Sequence, residues 1–247
     1  MSGLLLALGI GRNPVLPKQD ASMEDSDMTS NQVADKLRDE LPSGHVQFAD
    51  AYAQAAFAHA PVQLKPYDFA LIHAAIIDRE SGAGIFLRPR GPEGVGDFKT
   101  RWYNEDSVPN WASELNLYTG NVRVKTETYE DGSVEQVNQI EVSPPAYAGA
   151  EVSGWGYGLG QIDFVSWRQW LDTHDWKDPF VNLNKSAEIL SNGINRLGDI
   201  RYGIASYNAG LNHNYGIGDP DRFTTGGNYS RDVLARANRF GFTKITV

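Results

Sequence analysis

The sequence predicts a mainly α fold (α+β) with a β-rich insertion in the middle of the chain. Apolar residues recur every three or four positions in both the N-terminal and the C-terminal parts, which is typical of amphipathic helices. Between these parts, residues 83–153 are rich in Gly and Pro and contain one alternating hairpin pattern. The length of 247 residues fits one large domain, or one domain with an arm.

Residues 1–30 are predicted to form a flexible N-terminal arm. Pro14, Pro17 and the acidic polar stretch at 20–30 show no apolar periodicity. The short apolar run at 4–8 offers a docking segment for a partner protein, and a disordered tail is the alternative. This run is too short to span a bilayer and no Lys or Arg precedes it, so we expect neither a membrane span nor an export signal.

Three helices are predicted after the arm. The first follows the apolar stripe from Val33 to Leu41, and the second covers the Ala-rich stretch 46–60. The third runs over 67–80, because Pro66 suits the first turn of a helix and a Gly-rich break follows position 80. These helices are expected to form the first half of the core.

The insertion 83–153 is expected to contain a β-hairpin. Residues 121–130 and 133–142 alternate between apolar and polar side chains, as half-buried strands do. Asp131 and Gly132 between them are a signal for a type I′ turn.

Helices resume after the insertion. Asp178 as N-cap, Pro179 in the first turn and Gly198 as the stop delimit a long helix. Its apolar residues alternate between spacings of three and four and are predicted to be core: Phe180, Leu183, Ala187, Leu190, Ile194 and Leu197. A last helix is predicted over 230–240.

Charge and composition exclude several classes of function. The net charge of −9 leaves no basic stripe to neutralise phosphates, so we expect no nucleic-acid partner. The chain has no cysteine, which excludes disulfides, thiolate metal sites and cysteine nucleophiles. Its five histidines lack the spacing of metal ligands, and the Gly-rich stretch 154–160 is not a dinucleotide fingerprint. We therefore expect neither a metal nor a cofactor.

One acidic residue, Glu80, falls on the apolar face of the third helix. Ile72, Ile76 and Glu80 are spaced by four and share that face. Burial penalises the charged form of a carboxyl, and the negative end of the helix dipole lies nearby, so both effects are expected to raise its pKa. A carboxyl that stays protonated near neutral pH suits general-acid cleavage of a glycosidic bond. The alternative is a solvated glutamate in a fraying last turn.

Three short motifs follow one another in the chain and supply complementary chemistry. The first is Glu80-Ser81, the second is the Gly-rich stretch 156–163, and the third is the stretch 204–210. Glycines in the second motif let backbone approach a bulky ligand. Its Gln161 both donates and accepts hydrogen bonds, which suits an acetamido or hydroxyl group.

Two residues of the third motif have predicted roles at this site. Tyr207 is expected to hydrogen-bond the Glu80 carboxyl and hold its rotamer, and Asn208 is expected to present its amide to a sugar. Flat apolar faces for sugar rings are expected from three aromatic residues, with core packing as the alternative for each: Trp155, Tyr157 and Trp167.

With these motifs the chain resembles the goose-type lysozymes and, more broadly, the soluble lytic transglycosylases. The resemblance covers about 67–82 and 154–240. The stretches 158–161 (Gly-Leu-Gly-Gln) and 206–210 (Ser-Tyr-Asn-Ala-Gly) match family motifs, with Ser in place of the usual Ala at position 206. The stretch 228–237 is similar to the closing helix of the goose-type branch.

The resemblance implies a lysozyme-like catalytic domain over 31–247 that cleaves peptidoglycan between N-acetylmuramic acid and N-acetylglucosamine, with Glu80 as general acid. An inverting hydrolase also needs a second carboxylate, about 6.5–9.5 Å away, to activate water. Asp163 matches one family acid. The other falls near Val152, and Glu151 beside it is expected to substitute. The residues implied to bind substrate are Ser81, Tyr157, Gln161, Tyr207 and Asn208.

Two alternatives remain open at this point. Without a base, the 6-hydroxyl of the sugar would attack the anomeric carbon and give the anhydro product of a lytic transglycosylase. A protein on the same scaffold could also bind glycan, or serve a virion, without catalysis. Since no export signal is recognised, we expect a protein made in the cytoplasm that acts on the bacterial cell wall, as a phage lysin or virion-borne enzyme. The arm would then contact virion proteins.

Overall fold

The computed structural model describes residues 28–129, 131–216 and 218–243, and these form a mainly α fold with two small antiparallel sheets. The expected α+β class is therefore confirmed. The predicted arm lies outside the described residues, except for positions 28–30. The helices are α1 (Ser30–Glu40), α2 (Ser43–Val46), α3 (Ala49–His59), α4 (Pro66–Ser81), α5 (Asn110–Glu114), α6 (Phe164–Thr173), α7 (Pro179–Leu197), α8 (Ile200–Ala209) and α9 (Tyr229–Arg239). The strands are β1 (Val95–Gly96), β2 (Arg101–Asn104), β3 (Tyr118–Thr128), β4 (Val134–Val142), β5 (Gly156–Tyr157) and β6 (Ile162–Asp163).

The helix predicted over 46–60 is interrupted near its start. α2 ends at Val46, and α3 begins three residues later at Ala49. A buried histidine, His45, lies next to this break. Its ring lies 2.9 Å from the Tyr52 hydroxyl and 3.2 Å from the Asp78 carboxylate. The short helix α2 thus places a buried polar side chain inside the helical bundle.

Helix α4 is the central element of the larger core. Its residues from position 67 to position 77 are buried on every face, as expected for a helix surrounded by others. It packs against α3 and α9 and touches α1. The helix ends because Gly82 adopts a φ of 57°, the left-handed conformation that favours glycine at a C-terminus. This end delivers Glu80 to the surface of the core.

A second core lies beneath the insertion and is strongly aromatic. It contains Trp155, Tyr157, Phe164 and Trp176, all at most 1% exposed. Tyr157 packs edge-to-face on Trp176 with ring centroids 5.1 Å apart. The smaller sheet, in the order β1-β5-β6, passes over this core and pairs Gly96 with Gly156. The insertion is therefore joined to the helical domain through packed rings.

The larger sheet, in the order β2-β4-β3, contains the predicted hairpin. Strands β3 and β4 pair from Thr128↔Val134 to Tyr118↔Val142 with one irregularity. The turn differs from the expected type I′. Gly132 has a φ of 82° and its N–H bonds the Tyr129 carbonyl, while Tyr129 pairs with Ser133, so the connection is one residue longer.

The bounds predicted for α7 are confirmed. The Asp178 side chain accepts from the Phe180 N–H, and Gly198 ends the helix with a φ of 69°. The predicted core stripe is wrong at both ends, because Phe180 is 45% exposed and Leu197 is half-buried. Neighbouring elements cover only the middle of this long helix. Among the described residues, we find no helix with the length and hydropathy that a bilayer crossing requires.

Candidate active site

A cleft of about 660 Å³ lies where the end of α4 meets the smaller sheet and helices α6, α7 and α8. All three sequence motifs contribute to its walls, although they are separated by up to 130 positions in the chain. The charged and aromatic side chains that line the cleft are Glu80, Asp97, Arg101, Asp163, Trp167, Arg196 and Tyr207. The amide and hydroxyl side chains are Gln161, Ser166, Ser206, Asn208, Asn212 and Thr225.

Glu80 is half-buried and opens onto this cleft. Burial raises the pKa of its carboxyl above the usual 4.5, and the negative charge of Asp97 adds to this effect. The Tyr229 hydroxyl donates a hydrogen bond to Glu80 Oε1, which together with Arg79 partly offsets the rise. Glu80 thus combines access to a ligand with a raised pKa.

The hydroxyl that holds Glu80 differs from the expected one. Tyr207 donates instead to the Gly160 carbonyl, at 2.6 Å, so the sequence-based pairing with Glu80 is replaced by Tyr229. Tyr229 is the first residue of α9, which packs along α4, whereas Tyr207 faces the Gly-rich turn. Burial raises the pKa of both tyrosines well above 10.0, so both are neutral donors.

Two aspartates share one arginine on the sheet side of the cleft. Arg101 Nη2 lies 2.9 Å from Asp97 Oδ2 and 3.0 Å from Asp163 Oδ1. The other oxygen of Asp163 accepts from the N–H and the hydroxyl of Ser166, each at 3.0 Å, and so caps α6. Arg101 itself lies over the Trp155 ring, 4.4 Å from its centroid. The arrangement holds both carboxylates in place.

Asp97 is a candidate site residue that sequence reasoning missed, and Glu151 does not take the expected place. Glu151 is exposed in a bend and does not line the cleft. Asp97 lies near the start of the insertion. Its φ of 51° is rare outside glycine. The signal available in the sequence was Gly96-Asp97, which β-pairing brings beside Gly156. The second acid therefore comes from the start of the insertion and not from its end.

Gln161 lies in the cleft as expected, in a strained and closely packed position. Its φ is 50°, and its side-chain Nε2 donates to the Gly158 carbonyl at 2.9 Å. A Cβ added at Gly96 or Gly156 would come within 2.2 or 2.5 Å of Gln161 Oε1. Two paired strands thus need glycine because the Gln161 side chain lies across them.

The remaining predicted substrate-binding residues divide into two groups. Asn208 is exposed in the cleft, and its Oδ1 accepts from the Thr225 N–H at 2.8 Å, which directs the amide group. Ser81 is fully buried, donates to the Ile77 carbonyl at 3.1 Å and shapes the turn after α4. Tyr157 is also fully buried and donates to the Pro145 carbonyl at 3.0 Å. Ser81 and Tyr157 are therefore structural and do not reach a ligand.

Of the three aromatic residues considered, Trp167 alone lines the cleft. Trp155 is fully buried in the aromatic core, and its Nε1 donates to the Lys99 carbonyl at 2.6 Å. Trp167 is half-buried, with the Lys185 ammonium 3.7 Å from its ring centroid. It is the face that a sugar ring could contact.

A buried hydrogen-bonded pair supports the Gly-rich turn from behind. His73 Nε2 lies 2.6 Å from Ser186 Oγ, and the Ser186 side chain packs where a Cβ of Gly160 would be. Burial lowers the pKa of His73 to about 3, so this histidine is neutral. It contributes to the shape of the cleft and carries no charge into it.

The cleft thus joins one protonatable acid, two fixed carboxylates, directed amides and an aromatic face. Within the described ranges there is no group of three or more side chains with the arrangement of a metal site. Comparison with known protein-family models gives no match to this chain, and comparison with curated proteins gives none either.

Proposed function

We propose that this protein is a peptidoglycan-degrading muramidase that cleaves the β-1,4 bond between N-acetylmuramic acid and N-acetylglucosamine. The observation that carries the proposal is Glu80, a half-buried carboxyl of raised pKa that opens onto a cleft containing two fixed carboxylates. A protonated Glu80 can donate to the bridging oxygen as the bond breaks, which is the role of the general acid in glycosidases.

The base that activates water is assigned to Asp97. Both oxygens of Asp163 are engaged, one by Arg101 and one by Ser166. Asp97 bonds Arg101 through Oδ2, and its Oδ1 has no partner among the described residues. That oxygen is free to accept the proton of an attacking water, so Asp163 acts by orienting Arg101.

Substrate recognition is assigned to the directed amides and the aromatic face. The Asn208 amide and Gln161 line the cleft and suit acetamido and hydroxyl groups of the glycan. Trp167 offers a flat face to a sugar ring. The sugar rings carry no charge, so the acids of the cleft repel only the muramyl carboxylates of the strand.

The substitution Glu80→Gln tests the catalytic role. We expect cell-wall lysis to fall about 10²–10⁴-fold, which is the usual contribution of a positioned general acid. The control is Glu135→Gln, because Glu135 also accepts a tyrosine hydrogen bond (from Tyr129, at 2.8 Å) but lies on the exposed hairpin. Retained lysis in the Glu80 variant, with an unchanged unfolding transition, would remove the muramidase proposal. A wild type that binds walls without cutting them would support the glycan-binding alternative.

A lytic transglycosylase is the second candidate, and the sharing of Arg101 by Asp97 and Asp163 favours it. If Arg101 holds the Asp97 carboxylate away from an attacking water, the 6-hydroxyl of the sugar attacks in place of that water. Mass spectrometry of the released fragments distinguishes the two, since an anhydro product is lighter by one water. Asp97→Asn should abolish hydrolytic products and leave anhydro products, if any, in place.

A further inference from the structure

The cleft contains one cation that no described residue neutralises. Arg196 lies in the last turn of α7, is exposed and lines the cleft. Within 28–129, 131–216 and 218–243 it has no hydrogen bond, ion pair or ring contact. The other cleft arginine, Arg101, is bound by two carboxylates. Arg196 is therefore available to an anion from solution, in a protein whose net charge is −9.

The position of Arg196 on α7 separates it from the aromatic face of Trp167. Ile189 and Arg196 both line the cleft and are seven residues apart on α7, which is about 10 Å along the helix. The ring of Trp167 contacts the Lys185 ammonium, and Lys185 lies nearer the start of α7 than Ile189 does. The cleft thus extends along two turns of α7 from the aromatic face to the free guanidinium.

The charge pattern selects the kind of anion. Asp97 and Asp163 would repel a substrate carboxylate from the sheet side of the cleft. A guanidinium presents its N–H groups in a fork that matches a carboxylate. In peptidoglycan the muramyl unit carries such a group, either on its lactyl ether or on the attached peptide, and N-acetylglucosamine carries none.

We propose that Arg196 binds a carboxylate of the muramyl unit and makes the cleft selective for strands that bear it. This inference rests on the muramidase function proposed above. A basic residue in a last helical turn is also favoured by the helix dipole, as at Arg239 in α9. Arg239 is likewise exposed and without a described partner, but it does not line the cleft, so it is the matched control.

Binding is measured in the Glu80→Gln background, in which the strand stays intact. The probes are soluble glycan strands with peptide stems, the same strands stripped to their lactyl carboxylates, and stripped strands whose carboxylates have been amidated. We expect Arg196→Gln to weaken binding of carboxylate-bearing strands about three- to tenfold and to leave amidated strands unaffected. Arg239→Gln should change neither. An effect limited to stem-bearing strands identifies the peptide carboxylate, and an effect on stripped strands identifies the lactyl group.

The two proposals fail in different ways. Equal weakening on amidated strands, or no difference between the Arg196 and Arg239 variants, overturns the role of Arg196 even when the wild type cuts walls. A selective Arg196 effect in a protein whose wild type releases no fragments overturns the catalytic proposal and leaves the carboxylate site standing. Failure of every strand to bind overturns both.

Discussion

At the scale of the residue, the acid Glu80 is governed by two opposed effects. Burial and the charge of Asp97 raise its pKa, whereas the Tyr229 hydrogen bond and the charge of Arg79 lower it. A general acid must be protonated to act, so activity should be lost as pH rises through this pKa. The hydroxyl of Tyr229 therefore sets where that loss occurs.

Removing the hydroxyl tests this balance. In Tyr229→Phe, the stabilisation of the ionised carboxylate is lost and the pKa of Glu80 should rise further. The alkaline limb of kcat/KM against pH should then move to higher pH, together with a lower kcat because the carboxyl is less well held. Tyr129→Phe, which removes a similar tyrosine–glutamate bond on the hairpin, should leave the profile unchanged. A limb that stays in place or moves to lower pH would contradict the assignment.

At the scale of the element, the paired strands β1 and β5 are built around one side chain. Gly96 and Gly156 face each other, and Gln161 Oε1 lies close to both. At Gly96 the atoms that a new Cβ would meet are Oε1, Cδ and Nε2 of Gln161, the far end of a flexible side chain, so displacement there costs little stability. The same displacement alters the cleft.

Gly96→Ala should therefore separate activity from stability. We expect the unfolding temperature to change little and kcat/KM to fall by about tenfold to a hundredfold, since misplacing a substrate-binding group by about 1 Å can cost this much. The control is Gly44→Ala in α2, where the nearest atoms lie 4.0 Å away. Thermal unfolding gives the unfolding temperature, and cleavage kinetics give kcat/KM. A large loss of stability with normal cleavage by the remaining folded protein would refute the explanation.

The N-terminal cap of α1 lies at the predicted boundary between the arm and the domain. Thr29 and Gln32 form a reciprocal capping box at the helix N-terminus, which lies inside the arm predicted over 1–30. Met28 packs against the larger core just before it. The predicted domain boundary at 31 would thus remove a structural cap.

Two truncations distinguish these boundaries. A chain that begins at Met28 keeps the capping box and is the reference. A chain that begins at Asn31 should lose about 1 kcal/mol, the usual contribution of a threonine N-cap. Urea denaturation of both, with Thr29→Ala in the full chain as the matched variant, measures the difference. Equal stability of the two truncated chains would mean that the cap contributes nothing.

At the scale of the whole molecule, charges join α4 to α9. Arg236 bonds both Asp78 and Asp232, and Arg79 lies 2.6 Å from Asp232. These contacts hold α9 against α4, and they sit next to the Tyr229–Glu80 bond. For Asp78, the His45 hydrogen bond is the largest cause of its lowered pKa. For Asp232, burial opposes ionisation, but Arg236 and Arg79 outweigh it and lower the pKa.

This network should make stability depend on acid pH. A carboxylate whose pKa is lowered by folding stabilises the protein above its unfolded pKa, near 3.8, and this stabilisation is lost as pH falls through the folded pKa. Asp232→Asn should reduce the free energy of unfolding by about 1–2 kcal/mol at neutral pH, a modest value because solvent screens a side chain that is 27% exposed. The difference from wild type should shrink below pH 3.8.

The surface pair Arg38–Asp35 provides the control for that experiment. Asp35 is 76% exposed, so Asp35→Asn should cost less than about 1 kcal/mol at any pH. Thermal unfolding between pH 7 and pH 3 measures both variants. An Asp232 effect that stays constant as the pH falls would mean that packing, and not charge, joins the helices.

Local signals in the sequence predicted much of the fold. Caps and stops such as Asp178 and Gly198 predicted α7 to the residue, because capping depends on neighbouring backbone groups alone. The periodicity of α4 and the alternation of the hairpin were equally local. The wrong details, namely the hairpin turn and the exposed Phe180, depend on contacts from outside the segment.

The sequence by itself determined several elements of this protein, among them α4, α7 and the hairpin strands, and it placed a carboxyl at the end of α4. Only the tertiary structure decided which side chains meet there. Tyr157 and Ser81 turned inward, whereas Asp97 came to the cleft and the buried Tyr229 came to Glu80. The physical reason is that burial and pKa depend on which surfaces pack together, and packing joins residues whose separation along the chain carries no signal.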